Sequence, residues 1–409
     1  MQQLHEMLFL TCELPKQPMM ANPITGPLLN KQPLKPQSLN KRPLKQRSDP
    51  ERILIVRLSA VGDTILTLPV LCALRDRFPT SKIAWVVGKG ASDLLRGHQD
   101  LDELFVLSKD QTASPRAYWK FLQSIRRWKP DTAIDAQGLT KSAWIARYSG
   151  AARRIGLCCS EFEGREFSTW LNNHLVKPEH DQVVLRGLEL LKPLGIETPE
   201  VSYRVPRDIQ AIASVDAQFR ELAVPEHWGM INVGAGWPSK IWPAERYAAV
   251  ARHLGERWGL QSWIAWGGQE EGKIAQAVVG ASDSWARMMP PTNLLELAEW
   301  IRRARIFVGS DTGPMHLSVA LNTPTVALIG PMPVERVGPL GALHRSVQRD
   351  SLSEQERSNR KSDHRPMLSI QVDDVTEACD TLASQIAVAD RLANCDDPHG
   401  AGPLRLRAA

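Results

Sequence analysis

Three short stretches of this chain combine glycine with charged or hydroxylated side chains at spacings suited to phosphate and proton chemistry. The first, Arg57-Leu58-Ser59-Ala60-Val61-Gly62-Asp63-Thr64, holds one glycine and one carboxylate. At a helix start, Asp63 reads two ways: as a cap accepting a bond from a backbone N–H, or as a general base within reach of a substrate hydroxyl. The second stretch is Gly234-Ala235-Gly236-Trp237-Pro238-Ser239-Lys240-Ile241-Trp242-Pro243. Its glycines let backbone approach a ligand, and Lys240 offers a point charge for phosphate or remains a surface lysine. The third is Gly309-Ser310-Asp311-Thr312-Gly313-Pro314-Met315-His316. Free N–H groups at a helix start there would suit a diphosphate, although Asp311 alone could be a helix cap and His316 a core histidine.

No cluster with zinc-ligand spacing is present, and the single short Asp-x-Asp, Asp100-Leu101-Asp102, falls in a connection between elements. No metal or cofactor is therefore expected, and phosphate charge would be met by Lys240 and helix dipoles.

The elements that must carry these stretches follow from the hydrophobic pattern. Ordered structure is expected to begin at 52–58, an apolar run typical of a strand covered on both faces. Further runs lie at 83–87, 104–107 and 132–135, with helical patterns at 64–77, 116–128 and 139–149. A second series opens at 229–233 and continues through 262–266, 306–309 and 325–329, with helices expected at 243–256 and 373–387. Such alternation implies α/β architecture with parallel sheets. Two Rossmann-like halves facing a central cleft constitute the GT-B plan, with a boundary expected near residue 207. The expected divisions are a leader over 1–50, an acceptor-side half over 51–207, a donor-side half over 208–390 and a loose tail over 391–409.

The chain of 409 residues carries a formal charge of +5. Residues 1–50 hold seven Lys/Arg against three carboxylates, which leaves +1 for the rest. A nucleic-acid enzyme would be expected to carry a basic patch on its folded body, so nucleic acid ranks low. Residues 15–50 contain eight prolines and the near-repeat Asn30–Lys35, Asn40–Lys45, a composition that reads as a disordered leader or as a basic arm touching anionic lipid. The six cysteines form no CxxC pair, which fits a reducing, cytoplasmic compartment. No run approaches the ~20 apolar residues of a membrane span, so membrane contact would be peripheral.

Over 52–387 the chain resembles glycosyltransferase family 9, the ADP-heptose:lipopolysaccharide heptosyltransferases. The resemblance rests on four ordered motifs: 57–63, Asp135-Ala136-Gln137-Gly138-Leu139-Thr140-Lys141-Ser142-Ala143, 237–243 and 310–317. The motif at 135–143 is most similar to that of the first heptosyltransferase of the inner core. The resemblance implies metal-independent, inverting transfer, with Asp63 deprotonating the acceptor hydroxyl. It implies that Lys240 holds the donor diphosphate and that Asp311, Thr312, Gly313 and His316 line the phosphate and sugar pocket. Ser59, Gly62 and Gly236 would lie by the donor, and Glu271 by its ribose. Gln137, Lys141 and Arg165, with Arg153 and Arg154, are the acceptor candidates, each with a surface reading beside it. Where the family often has a second serine this chain has Ala60, and Ala235 and Gly236 stand at positions that are frequently hydroxylated.

An ADP-heptose donor and a Kdo-lipid A type acceptor would place the enzyme at the cytoplasmic face of the inner membrane. The alternatives are a family member using another nucleotide sugar or a non-lipid acceptor, an epimerase of the same fold, and a binding protein without turnover. An NAD enzyme is not expected, because Gly62 stands alone where a Gly-x-Gly-x-x-Gly would be.

Overall fold

The computed structural model describes residues 49–158 and 167–395. The first half builds a six-stranded sheet from β1 (Arg52–Val56), β2 (Lys82–Gly88), β3 (Glu103–Leu107), β4 (Thr132–Asp135), β5 (Arg153–Leu157) and β6 (His174–Val176). All neighbours are parallel, in the order 3-2-1-4-5-6. The second half builds another from β7 (Trp228–Asn232), β8 (Gln261–Ala265), β9 (Ala286–Met288), β10 (Ile306–Ser310), β11 (Thr325–Leu328) and β12 (His344–Val347). Its order, 12-11-10-7-8-9, repeats the first topology. These are the two parallel, Rossmann-like α/β halves of a GT-B fold.

Period-two geometry explains why β1 is apolar from Ile53 to Val56. Ile53 and Ile55 enter one core, and Leu54 and Val56 enter the core on the opposite face. The core that takes Ile53 and Ile55 continues through Trp228, Met230, Trp263 and Trp300 of the second half, so one face of each sheet belongs to the same apolar interior.

In a doubly wound sheet the strand order reverses at one point, and loops there diverge to leave a crevice. The reversals lie between β1 and β4 and between β7 and β10. Each strand at a reversal feeds one of the four motifs. After β1 comes α1 (Val61–Arg77), then in chain order α2 (Pro115–Trp128), α3 (Thr140–Tyr148) after β4, and α4 (Ile209–Glu221). The second half contributes α5 (Ala244–Trp258), α6 (Gly268–Gly280), α7 (Gly313–Ala320) after β10, and α8 (Val372–Cys395). Phe219 of α4 packs its ring 4.5 Å from Trp300 and 5.8 Å from Trp228.

Four strands add to those expected: β5, β6, β9 and β12. The stretch around Leu368-Ser369-Ile370 is a short helix, Arg365–Ser369, leading into α8. The expected tail begins inside α8, and the leader over 1–48 and residues 396–409 lie outside the described residues. No described helix is long and apolar enough to cross a membrane.

Candidate active site

The turn between β1 and α1 fixes Asp63 by two bonds. Its Oδ2 accepts the Ala60 N–H at 3.0 Å, tying the N-cap backbone to the first helical turn; the alanine offers no side-chain acceptor in return. Its Oδ1 pairs with Arg57 at 2.9 Å, and the carboxylate remains 42 % exposed. The cap reading is thus realised, yet a carboxylate has about four lone-pair sites. Arg57 is held in turn by the Ala136 carbonyl, 2.5 Å from its Nη1. The ion-pair partner of Asp63 is thus the residue that directly follows β1. Ser59 is exposed on the same turn.

The motif after β4 supports the turn from behind. Gln137, expected as an acceptor contact, is buried, and its Oε1 accepts the Leu58 N–H at 2.8 Å. Asp135 is buried at the strand end, where its Oδ1 accepts the Gly138 N–H at 2.9 Å and its Oδ2 accepts Asn172 Nδ2 at 3.0 Å. Burial pushes the Asp135 carboxyl up, against the opposing pull of the Ser142, Gly138 and Asn172 donors. Asn172 reaches it only because Gly156 has no side chain: a Cβ there would meet Asn172 Nδ2. Lys141 is exposed in the first turn of α3. Arg154 is committed elsewhere, donating to the Leu171 and Ala151 carbonyls at 2.9 and 2.8 Å. Arg153 opens β5 half-buried, and Arg165 lies outside the described residues.

On the second half, the 3-10 turn Pro238–Lys240 aims Lys240 at the end of β10. Its Nζ lies 2.5 Å from Asp311 Oδ2 and 3.2 Å from the Asp311 carbonyl, with both side chains largely buried. His316 Nε2 is 3.1 Å from the other Asp311 oxygen. Burial would raise the Asp311 carboxyl, but the Lys240 charge and the His316 ring outweigh it and hold the group well below the usual carboxylate range. Thr312 caps α7, its hydroxyl donating to the Ser310 carbonyl at 3.0 Å. Lys240 also lies 4.7 Å from the centre of the Trp237 ring, with Arg360 and Lys361 at 5.5 and 5.7 Å. These two cations are not among the expected site residues, because the polar segment that carries them gives no periodic signal.

The glycines divide by purpose. A Cβ on Gly234 would collide with the Glu271 carboxylate, whose Oε2 accepts the Gly267 N–H at 2.7 Å. Glu271 therefore sits over the end of β7. A Cβ on Gly236 would meet nothing within 4 Å, so open space lies beside that exposed residue.

Gly62 and Gly313 join the two halves of the site. A Cβ on Gly313 would meet Val61 Cγ1 at 3.3 Å, and one on Gly62 would meet His316 Cδ2 at 3.0 Å. The starts of α1 and α7 accordingly pack against each other. Asp63 is brought beside the motif that holds Asp311, Thr312, Gly313 and His316.

Away from this site, buried Cys72, His98 and Asp100 gather with potential ligand atoms within 4.8 Å. His98 Nδ1 accepts the Asp100 N–H at 3.2 Å, and Asp100 pairs with Arg204 at 3.0 Å. Burial, then the Asp100 charge, pushes the Cys72 thiol up, whereas metal binding needs a thiolate and a free imidazole nitrogen. The group reads as a lock on the segment at Arg204.

The family model for glycosyltransferase family 9 (heptosyltransferase) matches residues 118–367, more than half of the chain. The chain is 29 % identical over 296 residues to "Lipopolysaccharide heptosyltransferase 1" of Pseudomonas aeruginosa, covering 68 % of this chain and 79 % of that one. The solved family 9 glycosyltransferase of Veillonella parvula superposes with a TM-score of 0.72 at 23 % identity, over 82 % of this chain and 98 % of that one. The E. coli heptosyltransferase WaaC with ADP gives 0.64 at 21 %, over 81 % and 99 %. With the fold, the paired motifs and the family match in agreement, the chain belongs to glycosyltransferase family 9, the heptosyltransferase family, and is a transferase enzyme.

Proposed function

We propose that this enzyme moves a heptose from ADP-heptose to a Kdo-lipid A type acceptor of the lipopolysaccharide inner core, with inversion and without a metal. The lipopolysaccharide heptosyltransferases among its relatives support the substrate class, and the E. coli structure with ADP supports an adenosine diphosphate leaving group. The observation that carries the reading is the placement of Asp63, oriented by Arg57 and the Ala60 N–H, beside the α7 start at Gly313.

In this reading Asp63 takes the proton of the acceptor hydroxyl while that oxygen attacks the anomeric carbon. The bond from that carbon to the diphosphate oxygen breaks on the opposite side, and ADP leaves with the electron pair. Lys240 and the N-terminal dipole of α7 at Thr312 and Gly313 meet the growing diphosphate charge. Gly236 and Ser59 leave room along the donor, His316 borders its sugar, and Glu271 meets the ribose. Lys141 and Arg165 remain acceptor candidates, while Gln137 acts by holding the backbone at Leu58.

Mass spectrometry after incubation with ADP-heptose and a lipid A precursor tests this. The expected product is the acceptor plus one heptose, formed equally well with a chelator present. Conversion of the donor in the absence of acceptor would instead favour an epimerase.

A further inference from the structure

The described body of the first half carries a face of which Lys141, at its edge, is the one residue also named as an acceptor candidate. Large apolar side chains are normally buried, yet Trp170 is 83 % exposed, Phe167 59 %, Trp119 50 % and Trp144 47 %. They form one band. In α3, Lys141, Trp144, Arg147 and Tyr148 follow the three-and-four spacing of a single helical stripe, while Ser142, Ala143, Ile145 and Ala146 turn inward. The Tyr148 ring lies 5.0 Å from the Trp119 ring of α2, and the Arg126 guanidinium of α2 lies 5.6 Å from Tyr148. At the other end of α3, the Phe167 N–H donates to Thr140 Oγ1 at 3.3 Å, which sets the Phe167–Trp170 ring pair, 5.7 Å apart, beside the α3 start.

The charge of this band is one-sided. α2 carries Arg116, Lys120, Arg126 and Arg127, α3 carries Lys141 and Arg147, and neither helix nor the segment 167–171 contains an acidic residue. Residues 51–409 sum to +1, so six cations here leave −5 on the remainder of that span. The body thus has a basic patch that the overall count conceals. Tryptophan and tyrosine rings flanked by lysine and arginine on amphipathic helices suit the boundary between lipid headgroups and acyl chains. A single-stranded nucleic acid would be better served by rings in a charged groove; these project from the outer faces of helices.

We propose that the face formed by α2, α3 and residues 167–171 docks reversibly on an anionic lipid bilayer. It deepens the reading of a lipid-borne acceptor, because it places that half of the enzyme against the surface holding the acceptor, and binding can be measured without any transfer.

The test is co-sedimentation of the full chain with vesicles of phosphatidylcholine alone or with about a third phosphatidylglycerol, at low and high salt. The wild-type chain is expected to pellet with the anionic vesicles and to be released by salt. Trp144→Ser with Trp170→Ser, and separately Arg116→Glu with Lys120→Glu and Arg147→Glu, should each lower the bound fraction at least ~10-fold. These exposed substitutions should leave the melting temperature and transfer to a soluble acceptor fragment unchanged. Wild-type protein that stays in the supernatant, or variants that pellet like wild type with the leader intact, overturn the proposal. Tighter binding to a single-stranded oligonucleotide, lost in the same variants, overturns it too. Loss of transfer to every acceptor with vesicle binding retained would count against the enzymatic reading instead.

Discussion

The ring of His316 lies over Gly62 so closely that a Cβ on that glycine would come within 3.0 Å of its Cδ2. This contact sets the start of α1, with Asp63 one residue on, against the start of α7. Gly62→Ala should therefore push the two helix starts apart, at an overpacking cost of about 1–3 kcal/mol and with a fall in transfer larger than the stability loss explains. In a His316→Ala background the packing penalty should shrink, and a double-mutant cycle on thermal stability reads the coupling. Additive effects would show that the contact is not limiting.

Lys240 and Asp311 form a largely buried ion pair, with side chains 12 % and 5 % exposed. Lys240→Ala leaves a buried carboxylate facing only His316, so a loss of about 3–5 kcal/mol is expected at neutral pH, together with weaker donor binding. In the wild type the depressed Asp311 pKa gives stability that is present above the ordinary carboxylate range and lost only as pH falls below it. In the variant, burial without the lysine raises the carboxyl, so the deficit relative to wild type should narrow as pH falls. Denaturant titrations of both proteins across the acid range check this, and a pH-independent gap would contradict it.

His344 begins β12, buried and with its Nδ1 lacking a partner among the described residues. Burial, reinforced by Arg345, lowers its pKa from 6.5 to about 4. The unfolded chain thus binds the proton first, and stability should fall by about 3 kcal/mol as pH drops from 6.5 to 4. His344→Phe should flatten that part of the stability profile. An unchanged slope would place the acid sensitivity elsewhere.

Gln137 acts through the backbone at Leu58. Gln137→Ala leaves that N–H without its acceptor, a cost of about 1–3 kcal/mol, and loosens the turn that presents Asp63. Gln137→Glu restores an acceptor and should recover stability. A direct role on the acceptor would instead show as a raised KM for acceptor with stability untouched.

Much of this architecture was legible because buried parallel strands write themselves as apolar runs: eight of the twelve strands correspond to such runs. β5 and β12 were not, since Arg153-Arg154 and His344-Arg345 open them with polar residues at positions that sheet pairing, rather than local pattern, recruits. The motifs fall in the loops that follow the strands at the two sheet reversals, and they were visible because glycine and charge at a strand end are local features. Which partner each charge takes was not local. Lys240 and Asp311 are 71 residues apart and meet only because β7 and β10 are neighbours, and Arg57 reaches Asp63 only through the shape of one turn. Gln137 was an acceptor candidate through the family resemblance and its place after a strand; that it is buried and accepts the Leu58 N–H depends on the fold and not on local pattern.

The transfer reading rests on Asp63 taking the proton of the acceptor hydroxyl. Asp63→Asn is the sharpest probe, since its side-chain oxygen can still accept the Ala60 N–H while the amide cannot serve as a base. The measurement is kcat for transfer from ADP-heptose, beside donor affinity by calorimetry and the melting temperature. A fall in kcat of at least ~100-fold, with donor binding and folding near wild type, is the predicted result. A folded Asp63→Asn enzyme that turns over within a few-fold of wild type would rule out Asp63 as the base.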